Sequence, residues 1–464
     1  MRESRYNVWV RRPDAAYVFN SRSGAMLRIP AEHHKAYHAF MAGDTGAPCP
    51  PSLLANLIAG LMIVRDDADE LQSLAKRYHA SRNTTRNFAL TVVTSLGCNF
   101  SCPYCFEEKH PSLLDGDVEA HILKVLDAQL PHIDSFHVTW FGGEPLVGKK
   151  SLLRLSDAFI RRCDEAGVHY DASIVTNGYL LDEATCRELA TRRVTSVQVG
   201  IDGPPAVHNQ MRPLSNGRGS FHTILTNLRM AVDQLNVTVR VNIDGGNASR
   251  VEELFQLLAK EGFGGKLTVY PGQIVGVQQN VRAPSASYRG GCFSKAEFAH
   301  EERRFLDLAA QYGLAKPRLP SPTGAPCTAV RVNELVVGSR GELYKCWDSV
   351  GDQNEVIGDI RDHASPNGRL AKWLSYDPFQ NEECRGCIAL PVCMGGCAHH
   401  AFDKLLHENR CGTFRHTFQE QVSRFVDFAE QERLSGLMSI AALSRTVETA
   451  EAPELPTEPF RATV

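Results

Sequence analysis

The sequence has little excess charge of either sign and no long apolar run near its start. Its 464 residues include 50 Lys and Arg against 53 Asp and Glu, which leaves a net charge of −3. A chain this close to neutral is not expected to bind nucleic acid. The apolar run at residues 57–64 is far too short to cross a bilayer, and residues 1–7 are charged rather than apolar. We therefore expect no membrane partner, no export signal and a cytoplasmic location.

Cysteine, by contrast, is plentiful and unevenly placed. Of the 14 cysteines, ten fall into two groups. The first group is Cys98, Cys102 and Cys105, and the second is Cys327, Cys346, Cys384, Cys387, Cys393, Cys397 and Cys411. Thiols bunched in this way in a reducing compartment usually hold metal rather than form disulfides. Of the scattered cysteines, Cys163 lies on the apolar stripe of a predicted helix and is interpreted as a core residue.

The chain divides into four regions by pattern. Residues 1–88 combine short β-rich runs with helical stretches and predict a small α+β module, winged-helix-like. In residues 89–285, six short β-rich runs alternate with amphipathic helices, which predicts an α/β fold with parallel strands in a partial (β/α)6 barrel. Residues 286–430 form a bridge and a cysteine-rich extension, and residues 431–464 are predicted to be a helix end and a disordered tail.

The first cysteine group directly follows the first predicted barrel strand. Its spacing is Cys98-x3-Cys102-x2-Cys105, and strand ends in such architectures carry the chemistry. Three thiolates are one short of a closed site, so a cubane iron-sulfur cluster held here would keep one iron free for an external ligand. A zinc site with a remote fourth ligand such as His110 is the alternative.

Further motifs stand at the ends of the following predicted strands. In chain order they are Gly142-Gly143-Glu144-Pro145, Thr176-Asn177-Gly178, Ile201-Asp202-Gly203-Pro204, Met211-Arg212-Pro213 and Arg240-x-Asn242, and Tyr104 stands just before the last cysteine of the first group. On these motifs, roughly residues 89–430 resemble the radical S-adenosylmethionine (radical SAM) enzymes.

The resemblance implies a 4Fe-4S cluster at the first cysteine group, chelated by the amino and carboxylate groups of SAM. It implies that Tyr104 packs near the adenine and that Gly142, Gly143, Glu144 and Pro145 hold the methionine ammonium. The ribose, the carboxylate and the nearby substrate pocket are assigned to Thr176, Asn177, Asp202, Arg212, Arg240 and Asn242. Gly200 stands where relatives often carry serine, which puts one ribose contact in doubt.

The second cysteine group is similar to the SPASM extension of radical SAM enzymes. The resemblance implies two auxiliary 4Fe-4S clusters, the first held by Cys384, Cys387, Cys393 and Cys411. The second set, Cys327, Cys346 and Cys397, is one thiolate short. Either Cys292 supplies the missing ligand or the site stays open and takes substrate. A pair of zinc knuckles is the alternative for the whole region.

The function implied is that of a peptide maturase. Reduced SAM would yield a 5'-deoxyadenosyl radical that abstracts hydrogen from a precursor peptide or protein, and auxiliary clusters suit a net oxidation such as crosslink formation. An external electron donor such as flavodoxin or ferredoxin is expected. Residues 1–88 look like the peptide-recognition domains of such maturases, where a leader could add a strand to a sheet edge. A structural lid without a partner is the alternative.

Two further functions remain open. The first is a sulfatase-type maturase that oxidises Cys or Ser to formylglycine, with an aspartate near the middle SPASM cysteine as base. Here Trp347 follows Cys346 and Asp348 comes one residue later, so Asp348 is the candidate base. The second, of another class, is a non-catalytic iron-sulfur electron carrier or redox sensor.

Overall fold

The computed structural model describes residues 1–44, 49–276, 283–362 and 367–434. Of the predicted helix end and disordered tail at residues 431–464, everything from residue 435 onwards lies outside these residues. Within the described ranges, no helix is both long enough and apolar enough to span a membrane.

The described residues form fourteen strands and fifteen α-helices. The strands are β1 (Arg2–Glu3), β2 (Asn7–Arg11), β3 (Ala15–Asn20), β4 (Met26–Pro30), β5 (Ile63–Val64), β6 (Asn87–Ser95), β7 (Ser135–Gly142), β8 (His169–Thr176), β9 (Val194–Gly200), β10 (Asn236–Ile243), β11 (Leu267–Gln273), β12 (Glu334–Val337), β13 (Glu342–Tyr344) and β14 (Gly358–Asp359). The helices are α1 (Ala31–Met41), α2 (Pro51–Ala59), α3 (Glu70–Asn83), α4 (Gly116–Gln129), α5 (Lys149–Ala166), α6 (Glu183–Ala190), α7 (Pro205–Met211), α8 (Phe221–Ala231), α9 (Val251–Lys260), α10 (Lys295–Gln311), α11 (Arg369–Leu374), α12 (Glu382–Arg385), α13 (Leu390–Cys393), α14 (Ala398–Phe402) and α15 (Phe414–Leu434).

Strands β6 to β11 form a parallel array in which each strand pairs with the next along the chain. Each is followed by at least one helix, from α4 after β6 to α10 after β11. Local signals start these helices: Asp115 caps α4, and Ser294 and Glu297 form a capping box at α10. The predicted architecture of six β-α units is confirmed.

The two faces of the parallel array differ in polarity. In β7, the side chains of Phe136, Val138 and Trp140 are fully buried. The alternate side chains, His137 and Thr139, are polar and only half-buried. This period of two places the apolar row against the core and leaves a polar row on the opposite face of the sheet.

The cysteine-rich extension continues the same sheet. Strand β12 pairs in parallel with β6, and β13 and β14 follow antiparallel, so that the sheet has nine strands in the order β11-β10-β9-β8-β7-β6-β12-β13-β14. Strand β6, which leads into the first cysteine group, therefore has barrel strands on one side and the extension on the other. The sequence patterns did not predict this continuation.

A separate compact unit consists of residues 1–74, residues 318–322 and the described residues from 418 onwards. Its antiparallel sheet has the order β2-β3-β4, and its core includes Val18, Ile29 and Leu57. The predicted α+β character of the N-terminal module is confirmed.

The part of α15 that follows a kink at Thr417 packs within this unit. The Phe418 ring lies edge-on to Phe19 with 6.2 Å between ring centroids, and the Arg12 guanidinium pairs with the Asp427 carboxylate. A helix from the far end of the sequence thus completes the N-terminal module.

Candidate active site and metal centres

The first cysteine group lies on the loop after β6. The backbone N–H of Cys105 donates to the carbonyl of Cys102 at 3.3 Å, and the Lys109 Nζ donates to the Phe100 carbonyl at 2.8 Å, which fixes the loop in a tight turn. Burial raises the pKa of the Cys98 thiol to about 11 and that of Cys105 to about 12. Buried thiols of this kind suit a metal site, where bound cations replace the thiol protons.

The Gly142–Pro145 segment at the end of β7 packs directly onto this loop. A Cβ on Gly142, which has φ +129°, would lie 2.2 Å from the Ser95 carbonyl oxygen, and one on Gly143 would lie 2.8 Å from that of Leu96. The Gly143 N–H donates to the Ser95 carbonyl at 3.0 Å. Only glycine permits this approach, so the two motifs form one structure.

Glu144 is fully buried beneath this contact. Its carboxylate accepts hydrogen bonds from the backbone N–H of Leu146 at 3.0 Å, the Thr176 hydroxyl at 2.7 Å and the backbone N–H of Asn177 at 2.7 Å. Burial raises the pKa of this carboxyl above its ordinary value, although the three hydrogen-bond donors act in the opposite direction. Glu144 therefore joins the end of β7 to the end of β8.

A second polar cluster gathers around the Tyr104 hydroxyl. That hydroxyl donates to the Asp202 carboxylate, and it accepts from Arg212 Nη1 at 2.8 Å and from Asn242 Nδ2 at 3.3 Å. Asp202 is fully buried and also accepts the Asn242 backbone N–H at 2.9 Å. The structure thus brings together four predicted cofactor-binding residues that are widely separated in sequence.

Gly200 faces this cluster. A Cβ at Gly200 would lie only 2.7 Å from Arg212 Cζ. The Arg212 guanidinium can therefore occupy this position only because residue 200 has no side chain. The departure from the serine expected here is thus coupled to the position of Arg212.

Arg240 lies two positions before Asn242, on the same polar face of β10. A Cβ at Gly272 of the neighbouring strand would lie 2.5 Å from Arg240 Nε. This Nε is buried and has no hydrogen-bond partner among the described residues.

Three further residues at this edge were not found from the sequence. Asn247 Nδ2 donates to the carbonyls of Asp202 and Asn242, both at 2.8 Å. The Tyr288 hydroxyl donates to the Asp244 carboxylate, and the Tyr288 ring lies edge-on to that of Tyr104 at 6.1 Å. No local motif marks these residues, because their roles depend on loops that meet only in the fold.

The second cysteine group separates in space into two sets. Burial raises the pKa of Cys384 to about 11, and the thiols of Cys393, Cys411 and Cys387 are near enough to act in the same direction. With Cys384 they are the four that the resemblance implied for one auxiliary site.

The remaining three thiols surround a cavity of about 320 Å³. Cys327, Cys346 and Cys397 line it together with Asp348 and His399. Thr91 of β6 and Val336 of β12 form part of its wall, which places the cavity against the strand that leads to the first cysteine group.

Trp347 connects this cavity to the Gly142–Pro145 segment. Its ring lines the cavity and stacks on Phe141, which directly precedes Gly142, with 5.5 Å between centroids and 16° between planes. Trp347 is also 43% exposed, which is unusual for so large an apolar side chain.

The fold and this site together define a parallel α/β domain with three thiols on the loop that follows its first strand. Residues 92–258 match the model of the radical SAM superfamily. The chain therefore contains a radical SAM domain over these residues, and it is an enzyme.

Curated relatives cover most of the chain at low identity. The serine-type anaerobic sulfatase-maturating enzyme of Klebsiella pneumoniae is 23% identical over 376 residues, which are 76% of this chain and 91% of that protein. The cysteine-type enzyme of Clostridium perfringens (strain 13 / Type A) is 20% identical over 366 residues, 72% of this chain and 96% of that protein.

Solved structures share the fold. The sulfatase-maturating enzyme described as native anSMEcpe with bound AdoMet and Cp18Cys peptide has a TM-score of 0.53 at 17% identity, covering 72% of this chain and 98% of its own. Streptococcus suis SuiB bound to precursor peptide SuiA has a TM-score of 0.51 at 13% identity, covering 89% and 99%.

The residues present fit the cofactors of this superfamily. The Gly142–Pro145 segment packs on the loop that carries the first cysteine group. Two buried polar atoms in this region, Asn99 Nδ2 and Arg212 Nε, lack hydrogen-bond partners among the described residues. Buried donors without partners are rare in folded proteins, and a bound polar ligand would satisfy them.

Proposed function

We propose that the protein is a radical SAM/SPASM maturase that oxidises a precursor peptide. Cys98, Cys102 and Cys105 would hold the 4Fe-4S cluster to which SAM binds. When bound, these groups supply a 5'-deoxyadenosyl radical that abstracts hydrogen from the substrate.

The chain's own residues would bind and orient SAM. The backbone of Gly142–Pro145 would receive the methionine end of SAM, with Glu144 fixing that segment from below. Tyr104, held by Asp202 and Arg212, would position the adenosine end. Thr176, Asn177, Arg240 and Asn242 would complete the site at the ends of their strands.

The observation that carries an oxidative function is the arrangement around Trp347. Its ring stacks on Phe141, beside the proposed SAM site, and also lines the cavity that contains Cys327, Cys346 and Cys397. A substrate radical formed near Trp347 would therefore lie close to an auxiliary cluster that can accept its electron. A second auxiliary cluster would be held by Cys384, Cys387, Cys393 and Cys411.

A peptide substrate is supported by the relatives. The curated relatives are named for the maturation of sulfatases, and the SuiB structure contains a precursor peptide. In the N-terminal module, Gln419 of α15 donates to the Trp9 carbonyl of edge strand β2 at 2.6 Å. Strand β4 is the other edge, so we propose that a leader peptide adds there as an antiparallel or parallel strand.

Formation of formylglycine on a sulfatase is the second candidate, and the sulfatase-maturing relatives favour it. Asp348 is the candidate base for either reaction. Trp347 rather than an aspartate directly follows Cys346, and this departure from the sulfatase-type pattern favours the crosslinking reaction.

The experiment is anaerobic reconstitution with iron, sulfide, SAM and a reductant such as reduced flavodoxin or ferredoxin, with the Cys98→Ala variant as control. We expect 5'-deoxyadenosine from the unaltered protein and none from the variant. If the unaltered protein forms no 5'-deoxyadenosine while its clusters are intact, the result would favour a non-catalytic electron carrier or redox sensor.

Candidate peptides with a leader would then be analysed by mass spectrometry. A crosslinked product loses two hydrogens and does not react with a hydrazide, whereas formylglycine carries an aldehyde that does. Labelling by the hydrazide would reject the crosslinking reaction in favour of the sulfatase-type one.

A further inference from the structure

Three thiols line the cavity beside Trp347, whereas the four irons of a 4Fe-4S cluster need four ligands. The need for a fourth ligand rests on the auxiliary cluster of the proposed function. Cys327, Cys346 and Cys397 line the cavity, whose volume of about 320 Å³ corresponds to roughly ten water molecules. The remaining ligand must come from another residue, from solvent or from the substrate.

Cys292, the sequence candidate for this ligand, lies elsewhere. It is not among the residues that line the cavity. Its Sγ lies against Gly276, where a Cβ would be 2.7 Å away, and the Asp244 carboxylate is near enough to raise its pKa, after burial as the larger cause. Cys292 is therefore associated with the polar cluster around Tyr288 rather than with the other three thiols.

His399 and Asp348 are the side chains other than cysteine that could ligate iron from the cavity wall. A ring nitrogen of His399, a carboxylate oxygen of Asp348 and the Cys346 Sγ lie within 4.8 Å of one another. His399 stands two residues after Cys397, so the same turn presents both side chains.

The hydrogen bonding of His399 indicates which of the two is the ligand. His399 Nδ1 is buried and has no hydrogen-bond partner among the described residues. The adjacent His400 differs, because its Nδ1 lies 3.2 Å from the Asn409 carbonyl oxygen and is satisfied within the protein. A buried, unsatisfied polar atom is costly, and a bound metal would remove that cost.

We propose that His399 is the fourth protein ligand of the auxiliary cluster held by Cys327, Cys346 and Cys397. Imidazole nitrogen is an established ligand of iron in iron-sulfur centres. Asp348, whose carboxylate lies within 4.8 Å of the ring, keeps its place as the candidate base of the proposed function.

This ligand set has a redox consequence. Neutral imidazole in place of an anionic thiolate leaves the cluster with one negative charge fewer, which stabilises the reduced form. Lys345, fully buried in the same wall, acts in the same direction. The cluster is thereby suited to accepting an electron from the substrate.

The test uses the full chain with Cys98, Cys102 and Cys105 changed to Ala, so that neither the first cluster nor SAM contributes to the spectrum. This protein is labelled with [15N]histidine, reconstituted and reduced, and then measured by pulsed EPR. We expect a hyperfine coupling from 15N that is lost in His399→Ala and retained in His400→Ala.

A second variant keeps the proposal falsifiable if His399→Ala loses iron. His399→Cys should retain the iron content of the parent, show no nitrogen coupling and have a lower reduction potential. Coupling that persists in His399→Ala, or iron without any histidine coupling in the parent, would overturn the ligand assignment alone. Absence of iron from the parent would instead overturn the auxiliary clusters, and with them this part of the proposed function.

Discussion

Glu144 illustrates how a motif residue can act through its neighbours. The sequence resemblance assigns its carboxylate to the methionine ammonium. In the fold, the carboxylate instead accepts from the Leu146 N–H after β7 and from Thr176 and Asn177 at the end of β8, and solvent does not reach it. Its effect on SAM is then exerted through the position of the Gly142–Gly143 backbone. We regard it as a positioning residue for the proposed SAM site.

The first prediction follows from this contact. In Glu144→Gln, an amide NH2 group replaces one carboxylate oxygen and must face a hydrogen-bond donor. We therefore expect the free energy of unfolding to fall by about 1–3 kcal/mol. We also expect weaker SAM binding. Chemical unfolding and equilibrium SAM binding measure the two effects. Glu188→Gln, which removes a half-exposed pair with Lys149, serves as control and should cost less than about 1 kcal/mol. Unchanged SAM affinity in Glu144→Gln would contradict the assigned role.

The second prediction concerns His208, which is fully buried and whose Nε2 lies 3.0 Å from the Ser220 hydroxyl. Burial, with a smaller contribution from the Arg212 guanidinium, holds the pKa of His208 well below its ordinary value. As the pH falls below about 6.5, the unfolded chain binds a proton here that the folded protein does not, so stability falls by up to about 1.4 kcal/mol per pH unit.

Replacing His208 by Gln removes this dependence. The stability advantage of the unaltered protein over His208→Gln should be greatest above about pH 6.5 and shrink as the pH falls. Urea unfolding at a series of pH values measures it, with the exposed His222→Gln as control. A difference that does not change with pH would contradict the prediction.

At the scale of elements, α15 shows that the N-terminal module is not contiguous in sequence. From Phe418 onwards its buried residues include Val422 and Val426, both fully buried in the unit formed with residues 1–74. Removing residues 1–88 alone would therefore expose this apolar face. An experiment on leader recognition is better made with substitutions at β4 than with a truncation.

The third prediction tests this packing. Val422→Asp removes roughly 1.5–3 kcal/mol of apolar burial and places an unpaired carboxylate in the core, so the N-terminal unit should unfold or become sensitive to proteases. Limited proteolysis with mass spectrometry locates the cleavage. Asp427→Asn on the same helix loses only an exposed pair with Arg12 and should remain resistant. Equal resistance of both variants would show that the helix does not stabilise the module.

At the scale of the whole molecule, the nine-stranded sheet joins the two proposed redox centres. Strand β6 ends at the first cysteine group, and β12 pairs with its other side and leads through β13 to Cys346. One continuous backbone ladder thus sets the distance between the proposed SAM site and the cavity. Trp347 of the cavity wall stacks on Phe141, which directly precedes the Gly142–Pro145 segment.

The fourth prediction separates the two centres. Cys98→Ala should lose both the iron of the first cluster and the formation of 5'-deoxyadenosine. Cys384→Ala should lose iron and product formation but retain SAM cleavage, because its thiol belongs to a different set. Iron analysis, chromatography of deoxyadenosine and mass spectrometry of the peptide measure the three quantities. Loss of SAM cleavage in a folded Cys384→Ala protein that keeps the first cluster would contradict the division of roles.

The sequence by itself determined the six β-α units and the placement of motifs at strand ends, because hydrophobic periodicity, glycine turns and cysteine spacing are local signals. The tertiary structure alone decided the continuation of the sheet through β12, the addition of α15 to the N-terminal module and the position of Cys292 against Gly276. It also placed His399 beside Cys346 and made Glu144 a buried contact. Each of these depends on packing between segments that are far apart in the chain. Such contacts produce no periodic pattern in the sequence of either segment, so the sequence alone does not reveal them.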